Sequence, residues 1–250
     1  MTGSPAVGRS GGHAVKRSGG RVAAAICAAV FLTAGPTDRL TAVSSTAASS
    51  TAAAQDPWPI LDHASATYQT VQTLTADFVQ VIENPMVGPP DTTRGRLFQQ
   101  RPSRFAMRFH VPPSDRIVAD GKYLWLYTPS TTPGQVIRSR IPDAGTTGPN
   151  LIGQFVERPR ERYTARYVRA DSTAAGWIDV VALTPHDSTL PYSGATIWVG
   201  RGDGLVHQLE IAESGGQIRR VWLSRLQLNV PVPTAEFRFT PPHGVAVVNQ

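Results

Sequence analysis

A single cysteine, Cys27, occurs in 250 residues. It falls within an apolar run near the N-terminus, so residues 55–250 have no thiol with which to form a disulfide or a cysteine metal site. Lysine is almost as scarce: beyond residue 54 only Lys122 remains, and the other bases there are arginines. The longest uncharged apolar run, Val22–Gly35, has 14 residues. A membrane-spanning helix needs about 20. The sequence has no Gly-x-Ser-x-Gly elbow, no His-Glu-x-x-His pair and no phosphate loop, which leaves nucleophilic, zinc-protease and nucleotide chemistry without a carrier. His63, His110, His186, His207 and His243 have no paired ligand spacing, so no metal or other cofactor is expected. The carboxylates are scattered through turns and polar faces. No interleaving of aromatic and basic residues marks a nucleic-acid platform.

The N-terminus is read as an export signal. Residues 1–21 carry Arg9, Lys16, Arg17 and Arg21 without an acid, and the apolar run follows directly. A basic segment before an apolar stretch of roughly 7–15 residues is a secretory signal pattern. A stretch of Ser, Thr, Ala and Val then leads to Ala52-Ala53-Ala54, a small-residue cleavage site just before Gln55. Residues 1–54 are thus expected to be removed, leaving 55–250 as one exported domain. An alternative, lipidation at Cys27, would leave only Val22–Ile26 as the apolar run and would place Ile26 before the cut. The whole chain has 24 bases against 18 acids. Residues 1–54 hold five of those bases and one of those acids, which leaves 19 against 17 in the remainder. The basicity therefore mostly belongs to the leader and does not indicate a polyanionic partner.

From Asp56 onward the period is first helical. Asp56 is a capping residue, Pro57 suits a first turn, and Ile60, Leu61, Ala64, Tyr68, Val71 and Leu74 form one stripe. After Leu74 the period becomes two, and short strand candidates follow: 93–100, 105–110, 116–120, 123–128, 135–140, 163–169, 177–183, 196–200, 206–212, 218–228 and 235–239. Asp120-Gly121, Gly202-Asp203-Gly204 and Ser214-Gly215-Gly216 are hairpin turns. The Arg-Gly-Asp triplet at 201–203 belongs to one of them. A second short helix is expected over Asn150–Glu157, inside a loop rich in Gly, Pro and Thr. Many evenly spaced strands joined by hairpins imply one large antiparallel sheet, curved or barrel-like.

The strand faces carry the functional content. Phe105, Met107 and Phe109 share one face of their strand, while Tyr123, Trp125 and Tyr127 alternate with Leu124 and Leu126, so that strand is apolar on both faces. A greasy face this large is either an ordinary core under the two helices or a cavity between the sheet and movable helical lids. Residue pattern alone leaves both open.

The order of the strand motifs narrows this. Phe78-Val79-Gln80, Arg94-Gly95-Arg96-Leu97-Phe98, Arg101-Pro102-Ser103-Arg104-Phe105, Ile117-Val118-Ala119-Asp120-Gly121-Lys122, Leu124-Trp125-Leu126-Tyr127 and Leu183-Thr184-Pro185 follow one another, and Phe237–Val245 closes the series. This text resembles the periplasmic outer-membrane lipoprotein carrier family, from about the first helix to the C-terminus. The resemblance implies a mainly β (α+β) fold: an incomplete, strongly curved antiparallel barrel closed by short α-helical lids. It implies a periplasmic, monomeric carrier without catalysis or cofactor. That carrier shields the acyl chains of lipoproteins, receives them from an inner-membrane ATP-driven (ABC) release complex and passes them to an outer-membrane receptor. Phe78, Leu97, Phe105, Met107, Phe109, Trp125 and Ile197 are the implied cavity residues. Leu151, Ile152 and Phe155 are the apolar face of the lid, and Arg101 is a latch that hydrogen-bonds it. Without the resemblance, Arg101 reads as a solvated turn arginine. Met107 stands two residues after Phe105, where the family often has an aromatic. Two other readings share the fold: the lipidated receptor, and a periplasmic sensor or module for another lipid.

Overall fold

The computed structural model describes residues 55–86, 88–141, 150–173 and 176–250. The expected signal segment, residues 1–54, lies outside them. The backbone is mostly β. Six strands run as one meander: β1 (Thr73–Glu83), β2 (Asp91–Gln100), β3 (Arg104–Val111), β4 (Arg116–Asp120), β5 (Tyr123–Tyr127) and β6 (Gln135–Arg140). Five more form a second meander: β7 (Tyr163–Thr173), β8 (Gly176–Pro185), β9 (Tyr192–Gly200), β10 (Val206–Glu213) and β11 (Ile218–Leu228). The two are sewn together where β1 pairs antiparallel with β11, Phe78 opposite Leu223. A short last strand, β12 (Ala246–Asn249), adds parallel to β6. The result is one twelve-stranded sheet in the order β12-β6-β5-β4-β3-β2-β1-β11-β10-β9-β8-β7. It is not closed, because β12 and β7 end it on opposite sides.

The alternation of side chains gives the sheet two faces. On the inner face Leu74, Ala76 and Phe78 (β1), Leu97 (β2), Phe105, Met107 and Phe109 (β3), Ile197 (β9), Leu209 (β10) and Val221 (β11) join one cluster. Helix α1 (Trp58–Thr70) contributes Leu61, Ala64 and Tyr68 to that cluster, spaced to lie on one helical face. On the outer face Ala106, Val118, Trp125, Val136 and Phe237 form a second, smaller cluster.

Several expectations needed correction. The first helix stops at Thr70, so Val71 ends it and Leu74 belongs to β1. Asp56 accepts a bond from the Trp58 N–H at 3.1 Å, as a capping carboxylate should. The helix expected over Asn150–Glu157 is a single turn, α2 (Gly153–Val156), followed by another single turn, α3 (Pro159–Arg162). The Asn150 Oδ1 takes the place of a preceding turn by accepting from the Ile152 and Gly153 N–H groups at 3.2 and 2.8 Å. The segment 235–239 is not a strand: residues 235–237 belong to a 3-10 turn, Thr234–Phe237, and Arg238 and Phe239 follow it without regular structure. Pro231 and Pro233 precede it and Pro241 and Pro242 follow it, and each removes a donor that a ladder would need.

Candidate functional site

The inner face is where the expected site residues meet. Phe78 and Phe109 pack edge to face, with ring centroids 5.2 Å apart. Their approach depends on Gly95 in the facing strand. A Cβ there would collide with the Arg108 carbonyl and stand 2.8 Å from the Phe78 ring. Leu97, Phe105, Met107 and Ile197 lie in the same cluster, and Ile152, Phe155 and Val156 descend into it from the 150–157 segment. Ile152 and Phe155 are fully buried, and Leu151 packs at the margin. Apolar side chains of α1 and of the 150–157 segment thus pack into the cluster on this face. Trp125 is set apart. It belongs to the outer cluster, 5.6 Å from the Phe239 ring, and its Nε1 donates to the Asp120 carboxylate at 2.9 Å. Its strand is apolar on both sides, and only Leu124 of that strand packs against the inner cluster.

Arg101, in the turn between β2 and β3, ties the covering segments together. Its Nη2 donates to the Tyr68 carbonyl in the last turn of α1 and to the Glu157 carboxylate just after α2, both at 2.9 Å. Both side chains of that ion pair are about 30 % exposed, at 31 % and 29 %. The Arg101 backbone is pinned as well, because its N–H donates to the Gln72 carbonyl at 2.9 Å. The Arg101 Nε–H is buried without an acceptor.

Other polar contacts hold the same segments. Tyr163, at the start of β7, donates its hydroxyl to the Gln154 carbonyl of α2 at 2.9 Å and lies 2.7 Å from the Tyr192 hydroxyl. Burial and the Tyr192 contact push the Tyr163 phenol well above its ordinary pKa, so it stays neutral. Phe155 stacks against both rings, with centroids 6.2 and 5.8 Å away. The Tyr68 hydroxyl accepts from the Val206 N–H at 3.2 Å, and burial raises its pKa likewise. On the surface Arg160 of α3 pairs with Asp62 of α1 at 2.7 Å and lies over the Trp58 ring. Sequence reading missed Glu157, Tyr163, Tyr192 and the Asp62–Arg160 pair. Glu157 carried the one available signal, as the only acid in the 150–157 stretch.

These features define a class: an open antiparallel sheet with one wide apolar face under short helical segments, tethered by a few polar contacts. Residues 69–240 match the family described as outer membrane lipoprotein carrier protein LolA, and the chain belongs to that family. An outer-membrane lipoprotein carrier protein of Chromobacterium violaceum is 30 % identical over 179 residues, covering 71 % of this chain and 82 % of that one. Among solved structures, an uncharacterized conserved protein of Thermus thermophilus superposes with a TM-score of 0.50 at 11 % identity, over 78 % of this chain and all of that one. At that identity the likeness concerns the fold alone. A LolA superfamily protein of Nitrosomonas europaea aligns over 74 % of this chain and 99 % of its own, at 16 % identity and a TM-score of 0.38.

Proposed function

We propose that this chain is a periplasmic carrier that holds lipoprotein acyl chains against the inner face of its sheet. In this reading it takes them from an ATP-driven release complex in the inner membrane and yields them to an outer-membrane receptor. The observation that carries the proposal is the composition of the inner core. Part of that core belongs to the sheet, and part (Ile152, Phe155 and Val156) belongs to a short loop segment whose polar tethers are few.

The physics is an exchange. Burying one methylene is worth about 0.8 kcal/mol, so a long acyl chain cannot cross water unshielded. Withdrawing three fully buried apolar side chains from the inner face sacrifices about 1.5–3 kcal/mol each. An acyl chain of about fifteen methylenes restores about 12 kcal/mol by the same measure, so displacing the segment offsets much of the gain. A carrier that must release its cargo needs that balance. Met107 supports it, because an unbranched thioether adapts to chains of different shape. The residues proposed to line the acyl site are Phe78, Leu97, Phe105, Met107, Phe109 and Ile197. The lid is the 150–157 segment with Leu151, Ile152 and Phe155, and Arg101 is its latch. The work is binding alone, with no bond made or broken.

The test is native mass spectrometry of the protein purified from its own periplasm. Co-purification of acylated lipoproteins is the expected outcome. A free lipid in their place would move the reading to a lipid-binding module, and an acylated N-terminus would move it to the receptor.

A further inference from the structure

The outer face carries a row of charge that the acyl site does not use. Reading across the strands in register, Asp77 of β1 faces Arg96 of β2, Arg96 faces Arg108 of β3, and Arg108 faces Arg116 of β4. Three arginines therefore stand directly opposite one another on adjacent strands, about 4.8 Å apart at the backbone. Like charges in opposed positions are unfavourable for a sheet. Arg108 is relieved by Glu236 of the C-terminal segment at 2.6 Å, while Arg96 reaches the Asp77 carboxylate only at 4.0 Å. Asp77 is also the partner of Arg225. The side chains of Arg94, Arg116 and Arg238 make no hydrogen bond or ion pair with another described residue.

The row borders three hollows, with the Arg96 and Arg108 side chains 44 % and 42 % exposed. A hollow of about 600 Å³ is lined by Asp77, Arg94, Arg96, His110 and Arg225. A second, of about 520 Å³, shares Arg96 and His110 with it and is walled by Val230–Pro233 and Glu236. A third, of about 290 Å³, lies beside Arg116 and Arg238. The three hollows together hold six arginines against two carboxylates.

We infer that this arginine row binds an extended acidic peptide of a partner protein, running across β1–β4 with carboxylates at alternate positions. In an extended chain such carboxylates point the same way about 6.6–7 Å apart. Two or three of them span the distance from Arg96 to Arg116, and each arginine presents a fork suited to a carboxylate. Val230–Pro233 wall one side of the second hollow, and a flat anionic bilayer is the competing occupant that the vesicle control tests. The inference stands apart from the acyl-chain reading, because these side chains are on the opposite face of the strands.

The experiment uses the full-length mature protein and a fluorescein-labelled ten-residue peptide of alternating Glu and Ser, read by anisotropy at low salt. Matched controls are a Gln-Ser peptide and vesicles containing anionic phospholipid. The Glu-Ser peptide should bind, the Gln-Ser peptide should not, and added salt should weaken the complex. R96Q/R116Q, which leaves the Arg108–Glu236 pair intact, should bind roughly five- to tenfold more weakly. R96K/R116K keeps the charge and should retain most of the affinity, which also covers a folding defect in the glutamine variant. Equal binding of the two peptides, no loss in R96Q/R116Q, or capture of vesicles in place of peptide would each overturn the inference. An unchanged uptake of an acylated probe by R96Q/R116Q keeps this result separate from that of the proposed carrier function.

Discussion

Replacing Arg101 by Leu is the sharpest perturbation of the proposed latch. In the structure its Nη2 donates to the Tyr68 carbonyl and to the Glu157 carboxylate. Bonds to a charged group contribute about 1.5–3 kcal/mol, and a solvent-accessible ion pair about 0.2–1 kcal/mol. Taken together, the two contribute about 3 kcal/mol to the covered state. The buried, unsatisfied Nε–H takes back about 1 kcal/mol, which leaves a net of about 2 kcal/mol. Arg101→Leu removes that preference. A two-state equilibrium between covered and open forms then shifts about 30-fold toward open, the form that holds cargo. The sign matters: uptake persists and release slows. The assay loads a fluorescent palmitoylated peptide, measures its affinity, and then follows its escape to an excess of unlabelled wild-type carrier. Tighter binding and escape slowed by about an order of magnitude are expected. Arg101→Lys keeps a cation with three donors on a shorter reach and should fall between. Identical affinity and escape rates for Leu and Arg at this position would refute the latch.

Four further outcomes follow from the same geometry. Phe105→Glu places a carboxylate in the inner cluster, where Phe105 is buried; it should lower the melting temperature as well as block probe uptake, and normal uptake would remove this face from the site. Trp125→Ala should lower stability by about 3 kcal/mol in urea titrations yet leave probe affinity unchanged, and a change in affinity would return Trp125 to the acyl site. Gly95→Ala should destabilise by about 1–3 kcal/mol, since its methyl group meets the Arg108 carbonyl and the Phe78 ring; a neutral result would mean that β2 shifts freely. Asp120 is partly desolvated, which raises its pKa, but bonds from the Tyr123 N–H, the Trp125 Nε1 and the Lys122 N–H outweigh this and hold it below the usual carboxylate range. Its stabilisation is complete above the ordinary carboxylate pKa of about 4 and fades as pH falls toward the depressed folded value. The urea-midpoint gap between wild type and Asp120→Asn should therefore narrow below about pH 4.

Strands and hairpins were legible because their signals are local. Asp120-Gly121 turns β4 into β5, and the alternation of Phe105, Met107 and Phe109 with Ala106 and Arg108 places the inner face unaided. Segment 235–239 misled because its alternating Phe237 and Phe239 imitate a strand, while the prolines on either side decide the backbone. The sides of β5 were ambiguous for a related reason. Both of its faces are apolar, and only the distant Phe237 and Phe239 reveal which of them is covered by the C-terminal segment. Glu157 and Tyr163 could not be assigned roles from spacing, since their partners are set by tertiary packing: Glu157 lies 56 positions from Arg101 and Tyr163 29 from Tyr192. The register that lines up Arg96, Arg108 and Arg116 is likewise a property of pairing, invisible until the strands are laid side by side.

The two apolar clusters share strands but not faces, and β3 feeds both: Phe105, Met107 and Phe109 on one side, Ala106 on the other. A protein whose only hydrophobic centre doubled as its binding site would risk melting whenever that centre was emptied or refilled. Here the side under Phe237 stays packed whatever occupies the other. In the proposed carrier, odd-numbered positions of β3 are free to change with the size and shape of the guest, while Ala106 between them keeps the scaffold standing. Selectivity and durability can evolve on alternate residues of one strand.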